Sequence, residues 1–273
     1  MTLVVMKPDL PAGCGVERLS RDLRNYLDIL TVLAQKDLKV RYRNSVLGFV
    51  WALLNPLAYM ASLTRVFSSL LRVTIPNFAA WLLVALLVWR FFSVGTAQGL
   101  FSIVGNPSLV GKVYIPRYMI VLSNNLANFI GSSLEFLVLL PLLMGLGVGL
   151  TVYALILPLL LVLEFLLVFA LSLSLSALNL KYRDFYQIWD IALQLGFWLS
   201  PIVYDAALIP PRFRLSYSLN PMTSLIDAVR RIFLEQQLPT AFDMAVLLAS
   251  IILLLALGLM IFKRLEKRFA EEL

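Results

Sequence analysis

Residues 36–60 read KDLKVRYRNSVLGFVWALLNPLAYM, and the chain changes character inside this stretch. Up to Arg43 every second or third residue is charged, and from Val46 to Thr64 none is. Arg41 and Arg43 end a basic surface segment at the depth of lipid headgroups, Asn44 and Ser45 suit a turn, and Gly48 permits close packing. Pro56, after Asn55, lacks the N–H that an unbroken helix uses and should kink it. The apolar run continues to about Leu70, long enough to cross a hydrocarbon core of about 30 Å, which takes about 20 helical residues. The fold class is therefore all-α and integral to a membrane.

Upstream, residues 20–43 place Leu23, Tyr26, Leu27, Leu30, Leu33, Ala34 and Leu38 on one helical stripe, with Arg21, Asp22, Arg24, Asp28, Lys36 and Lys39 mostly elsewhere. Such a helix lies on a membrane surface or against a soluble partner. Residues 1–19, with Pro8, Pro11, Gly13 and Gly15, are expected to be irregular. The apolar run Leu3–Met6 is too short for a signal peptide and is followed by Lys7 and Asp9.

Downstream, the hydropathy pattern predicts spans at about 46–70, 78–100, 119–148, 152–180, 188–204 and 243–262, six in all. Residues 20–273 then form one membrane domain. A short amphiphilic helix is expected at about 106–114, after the Gly105-Asn106-Pro107 break. The proline-containing segment 205–240 is expected to dip back into the membrane as short re-entrant helices before the last span. Lysine and arginine set orientation. Sixteen fall in the segments that would share one side and five on the other, so both termini are expected in the cytoplasm.

Composition agrees: 60% of the 273 residues are hydrophobic and 14% charged, against about 25% charged in soluble domains. The mean hydropathy is +0.87. The net charge of +7 clusters beside apolar spans, which points to topology and lipid headgroups rather than nucleic acid. One cysteine, Cys14, excludes an internal disulfide, and the absence of histidine excludes histidine-based catalysis and metal ligation. No GxxxxGK[ST] loop is present, so ATP is not expected to bind this chain through one. No paired acidic motif suggests a metal-dependent glycosyl or prenyl transferase, and Asp184 stands alone on its loop.

A few charged residues fall inside the spans. Arg65 and Arg90 are expected to snorkel from near span ends. Glu135 and Glu164 are expected to face each other or a neighbouring subunit. Aromatic residues crowd the first, second and fifth spans, among them Trp51, Tyr59, Phe67, Trp81, Trp89, Phe197 and Trp198. Trp51, Tyr59 and Phe67 are candidate channel-lining residues, Tyr59 foremost because it lies too deep for an interfacial belt.

The 36–60 stretch resembles the start of the first span in type-2 ABC exporter permeases of the polysaccharide, O-antigen and teichoic-acid branch. Three further stretches resemble the same family in the same order. Asn106-Pro107-Ser108-Leu109 with Lys112-Val113-Tyr114-Ile115-Pro116-Arg117 is similar to its coupling helix. Leu178 to Asp184, LNLKYRD, is similar to the loop after its fourth span. Ser200 to Tyr204, SPIVY, with Asn220-Pro221-Met222-Thr223 and Arg230, is similar to its outer re-entrant region. The resemblance covers about 20–273 and implies what composition does not. Two copies of the chain would form one channel in the cytoplasmic (inner) membrane, above two separate ATPase subunits that bind ATP and Mg. Asn106, Pro107, Ser108, Leu109 and Lys112 would couple to the ATPase. The cargo implied is a glycan on a polyprenyl-pyrophosphate lipid, whose anionic head Arg41 and Arg43 are placed to meet; the same two charges serve equally as topology anchors. A permease of the same fold exporting a drug or another small amphiphile is the alternative.

Overall fold

The structure, a computed structural model, describes residues 15–42, 50–67, 75–107, 109, 116–267 and 269. Among these it is helical throughout, without strands. The helices are α1 (Gly15–Tyr42), α2 (Val50–Arg65), α3 (Phe78–Phe101), α4 (Tyr118–Gly145), α5 (Leu157–Lys181), α6 (Phe185–Leu199), α7 (Arg214–Ser218), α8 (Pro221–Arg230) and α9 (Ala241–Glu266). A 3-10 turn at Val152–Ile156 leads into α5, and a π-turn at Arg231–Glu235 follows α8.

Among the described residues four segments are long and apolar enough to cross a membrane: Phe78–Phe101, Tyr118–Gly145, Val152–Lys181 and Ala241–Glu266. They correspond to the second, third, fourth and sixth spans expected from hydropathy. The described parts of the other two are shorter. At 16 and 15 residues, α2 and α6 rise only about 24 and 23 Å, against a core of about 30 Å. Helix α6 also starts and stops earlier than 188–204. Pro201 forces Ser200 into extended backbone (φ −106°, ψ 152°), which ends the helix at Leu199. Helix α1 begins at Gly15, five residues before the expected start and inside the segment read as irregular.

Helix α3 is central. Sixteen of its 24 residues are buried, because its apolar residues lie on all sides, with Arg90, Ser93 and Gln98 among the polar exceptions, and it is surrounded by α2, α4, α5, α6 and α8. Small residues let the helices close in. A Cβ on Gly95 would lie 2.5 Å from Asn128 Nδ2 and 2.7 Å from Val168 Cγ1, and one on Gly99 would collide with Ser172. Around these glycines Asn128 Nδ2 donates to Phe91 O (3.2 Å) and Ser172 Oγ to Asn125 Oδ1 (3.2 Å). Such bonds average only about 0.6 kcal/mol between membrane helices, so the close packing carries more of the stability. Helix α9 packs along α5 with one face only: Leu247, Ile251, Gly258 and Phe262 are buried, and a Cβ on Gly258 would meet the Ala170 carbonyl at 2.5 Å.

The two ends of the bundle are tied differently. At the end carrying α1, Lys36 Nζ donates to Asn106 Oδ1 (2.6 Å), so α1 is fixed to the α3–α4 connection. There Arg117 donates to the Glu266 carbonyl and lies over the Phe269 ring (5.7 Å), which draws in the tail. Leu109 packs on the second core cluster with Ile103, Val121, Leu173, Phe262 and Phe269. At the opposite end Asn77, in left-handed backbone (φ 50°), ties the start of α3 to the α4–α5 turn by donating to Leu146 O (2.6 Å). Buried Arg230 of α8 sits 3.2 Å over the Trp81 ring and donates to Trp81 O and Ile202 O. Burial pushes the neighbouring Asp227 carboxyl above its ordinary value, Arg230 opposing, and pulls Arg230 down.

Candidate functional site

Helical spacing puts Leu86, Arg90, Ser93 and Ala97 on one face of α3, and Tyr186, Asp190, Leu193 and Phe197 on one face of α6. These faces oppose each other. With Asn55, Pro56 and Tyr59 of α2 they enclose a cavity of about 480 Å³, which also meets Trp89, Gln194 and Trp198. A second cavity of about 430 Å³ lies toward the α1 end, between Phe101 of α3 and Tyr186, Gln187 and Trp189 of α6. Both include Asp190 and Leu193, so the two form one groove along the α3–α6 seam.

The wall is aromatic, with polar groups at intervals. Trp89 meets Phe197 edge-on (6.0 Å, 75°), Phe197 meets Trp198 (5.4 Å, 86°), and Phe101 meets Tyr186 (5.9 Å). Tyr59 and Trp198 are more than half exposed, leaving ring faces free to stack. Trp189 Nε1 donates to Thr96 Oγ1 (3.2 Å), and Gln194 Nε2 to Asp190 Oδ2 (2.8 Å). Pro56, buried against α3, has no N–H for the Ala52 carbonyl one turn earlier. The two helices come close at Gly196, where a Cβ would stand 2.9 Å from Trp89 Cη2.

Arg90 corrects the snorkelling expectation. It lies at the middle of α3, twelve residues from Phe78 and eleven from Phe101, some 16–18 Å from either helix end, beyond a snorkelling stem's reach. Its Nε donates instead to Glu135 Oε2 of α4 at 3.0 Å. Glu135 thus faces Arg90 rather than Glu164. Glu164 is buried in α5, and its Oε1 has no hydrogen-bond partner among the described residues.

Of the channel-lining candidates, Tyr59 is on the groove wall. Trp51 is exposed two turns earlier on α2 and off the wall, and Phe67 stacks on Phe78 (5.9 Å) beyond the other end of α2. Asn106, Pro107 and Leu109 lie together at the α1 end, away from the groove. Arg43, Ser108 and Lys112 fall outside the described residues. Of Arg41 only the backbone, in the last turn of α1, is described. The sequence reading named Arg90 but assigned it to snorkelling, and it missed Asp190 and Gln194. A signal existed for both missed residues: Gln187, Asp190 and Gln194 form a polar stripe on an otherwise apolar helix.

The described residues thus form a helical bundle with four membrane-length apolar helices and a groove lined by aromatic and polar side chains. The chain belongs to the ABC-2 type transporter family, whose family model matches residues 29–234. It is 32% identical over 260 residues to an O-antigen export system permease protein RfbA of Klebsiella pneumoniae, covering 93% of this chain and 98% of that one. It is 34% identical over 265 residues to the protein of the same name from Myxococcus xanthus, covering 94% and 99%. Members of this family are transport components, so the chain is a multi-pass permease subunit and not an enzyme.

Proposed function

We propose that this chain is half of the membrane channel of an ATP-driven exporter that moves a lipid-linked polysaccharide of the O-antigen or teichoic-acid type outward across the cytoplasmic (inner) membrane. The observation that carries it is the groove itself: exposed Tyr59 and Trp198 rings beside Arg90, Asp190 and Gln194, at mid-depth in a membrane helix bundle. Sugar rings stack on aromatic faces and hydrogen-bond to such side chains. Similarity to O-antigen permeases over almost the whole chain supports the same cargo class.

In this reading α2 and α6, extended at their ends, complete six spans, and the 206–235 helices form a re-entrant cap on the outer face. Two copies bring their grooves together into one channel. ATP and Mg bind a separate ATPase subunit at the α1 end, where both termini would lie in the cytoplasm. Asn106–Leu109 transmits the ATPase stroke, and its bond to Lys36 adds α1 to the same contact. Arg41 and Arg43, which precede the first span in the sequence, meet the phosphates of the incoming lipid.

The test is purification from native membranes with mass spectrometry of what stays bound. A stoichiometric ATPase and a polyprenyl-linked glycan are expected. An ATPase with a drug-like or simple lipid amphiphile would reassign the cargo within the same fold, and a well-folded preparation holding neither would overturn the reading.

A further inference from the structure

A guanidinium halfway along a membrane helix is costly to keep there, by about 3 kcal/mol or more even on the lowest scales, so its surroundings show what it is for. Arg90 is held by one nitrogen only: Nε donates to Glu135 Oε2 at 3.0 Å, from behind the groove wall. Among the described residues its two terminal NH2 groups have no hydrogen-bond partner, and the side chain, about a quarter exposed, lines the 480 Å³ cavity. A purely structural Arg–carboxylate pair is best made two-pronged, through two parallel N–H···O bonds. Here the fork that would form the second prong is left to the cavity. Glu135, 7% exposed, supplies the charge that stabilises the arginine while the groove is empty.

We infer that Arg90 is the mid-membrane binding residue for a phosphate group on the transported lipid. Its free NH2 fork takes two phosphate oxygens, and Glu135 holds the guanidinium in place between cargoes. The surrounding wall fits an anion with an organic body. Tyr59 and Trp198 offer apolar faces for the prenyl or sugar portion, while Gln194 and Ser93 offer neutral hydrogen bonds. Asp190 faces the same space and repels an anion, but it accepts from Gln194 and lies where the two cavities join, on the α1 side of Arg90. It therefore favours placing the phosphate on the Arg90 side, with sugar hydroxyls against its own carboxylate. The inference rests on the groove being the path of a lipid-linked cargo, and it adds the residue that reads the charged end.

The test uses the permease with its ATPase partner in nanodiscs containing phosphatidylglycerol, titrated with geranylgeranyl pyrophosphate and with geranylgeraniol. Quenching of Trp89 and Trp198, which line the cavity, reports occupancy. Wild type should bind the pyrophosphate about tenfold or more tighter than the alcohol, the size expected of a hydrogen-bonded charge pair. R90Q should remove most of that preference while leaving alcohol binding unchanged. R90K, a point charge without the fork, should retain part of it. E135Q, which removes the competing carboxylate, should tighten pyrophosphate binding, and it serves equally if R90Q does not fold. Retention of the full preference in R90Q, or no tightening in E135Q, overturns the assignment of Arg90 while the groove stands. Equal competition by inorganic pyrophosphate overturns the lipid-borne source of the phosphate. Binding of neither ligand by wild type overturns the groove reading together with this inference.

Discussion

Two acidic residues on the adjoining helices α4 and α5 have opposite surroundings. Glu135 neutralises Arg90 at 3.0 Å, whereas Glu164 Oε1 is buried without a hydrogen-bond partner among the described residues. Removing one member of a part-buried pair strands the other charge, so E135Q should lower stability by about 2 kcal/mol. E164Q keeps the shape and removes a carboxyl that has little to offset its burial, so it should leave stability unchanged or raise it. Thermal unfolding of the two purified variants in one detergent checks both, and equal losses would contradict the distinction. The pairing itself could not be read from the sequence. Arg90 and Glu135 are 45 residues apart on different helices, and no local spacing distinguishes a snorkelling arginine from a paired one. Tyr59 could be read, because a tyrosine far from both interfaces of a span has no belt role to fill.

The helices were more legible than their partnerships. Twenty-residue apolar runs located α3, α4, α5 and α9, because lipid demands that length whatever surrounds the helix. The bounds moved where local chemistry intervened: at Ser200-Pro201, which stops α6, and at Pro158, which sits in the first turn of α5 after a 3-10 lead-in. What hydropathy cannot register is which glycine meets which neighbour. Gly258 faces a backbone carbonyl, which cannot rotate aside as a side chain could. G258A should therefore push α9 off α5 and cost about 1–3 kcal/mol, seen as a lower unfolding temperature. A change at Gly145, with nothing within 4 Å of its Cβ position, should cost no such packing. The α3–α4 connection carries a different expectation. Leu109 packs into the cluster that holds α5, α9 and the tail together, so L109D should keep ATP hydrolysis by the partner while abolishing transport. Normal transport per ATP in that variant would remove residues 106–114 from the coupling path.

On the scale of the whole chain, basic residues outnumber those of the opposite side sixteen to five, which predicts both termini on one side. Fluorescent-protein fusions at each end should both glow, while alkaline phosphatase fused after Gly149 should be active. Opposite-side termini would break the six-span arrangement. The same tally shows why the 205–240 segment was hard to read: four of the five opposing charges fall there, and Arg230 proves to be buried against Trp81 rather than displayed as a topology signal. Gly196 carries a consequence of another kind. The width of the seam at Trp89 is set by a hydrogen atom where any other residue would place a carbon 2.9 Å from the indole. A series from alanine through serine to valine at this position becomes a calibrated set of spacers, wedging α6 away from α3 in small steps. Such a series would show, as stepwise drops in unfolding temperature, how much widening the Trp89–Phe197 contact tolerates before the two helices part.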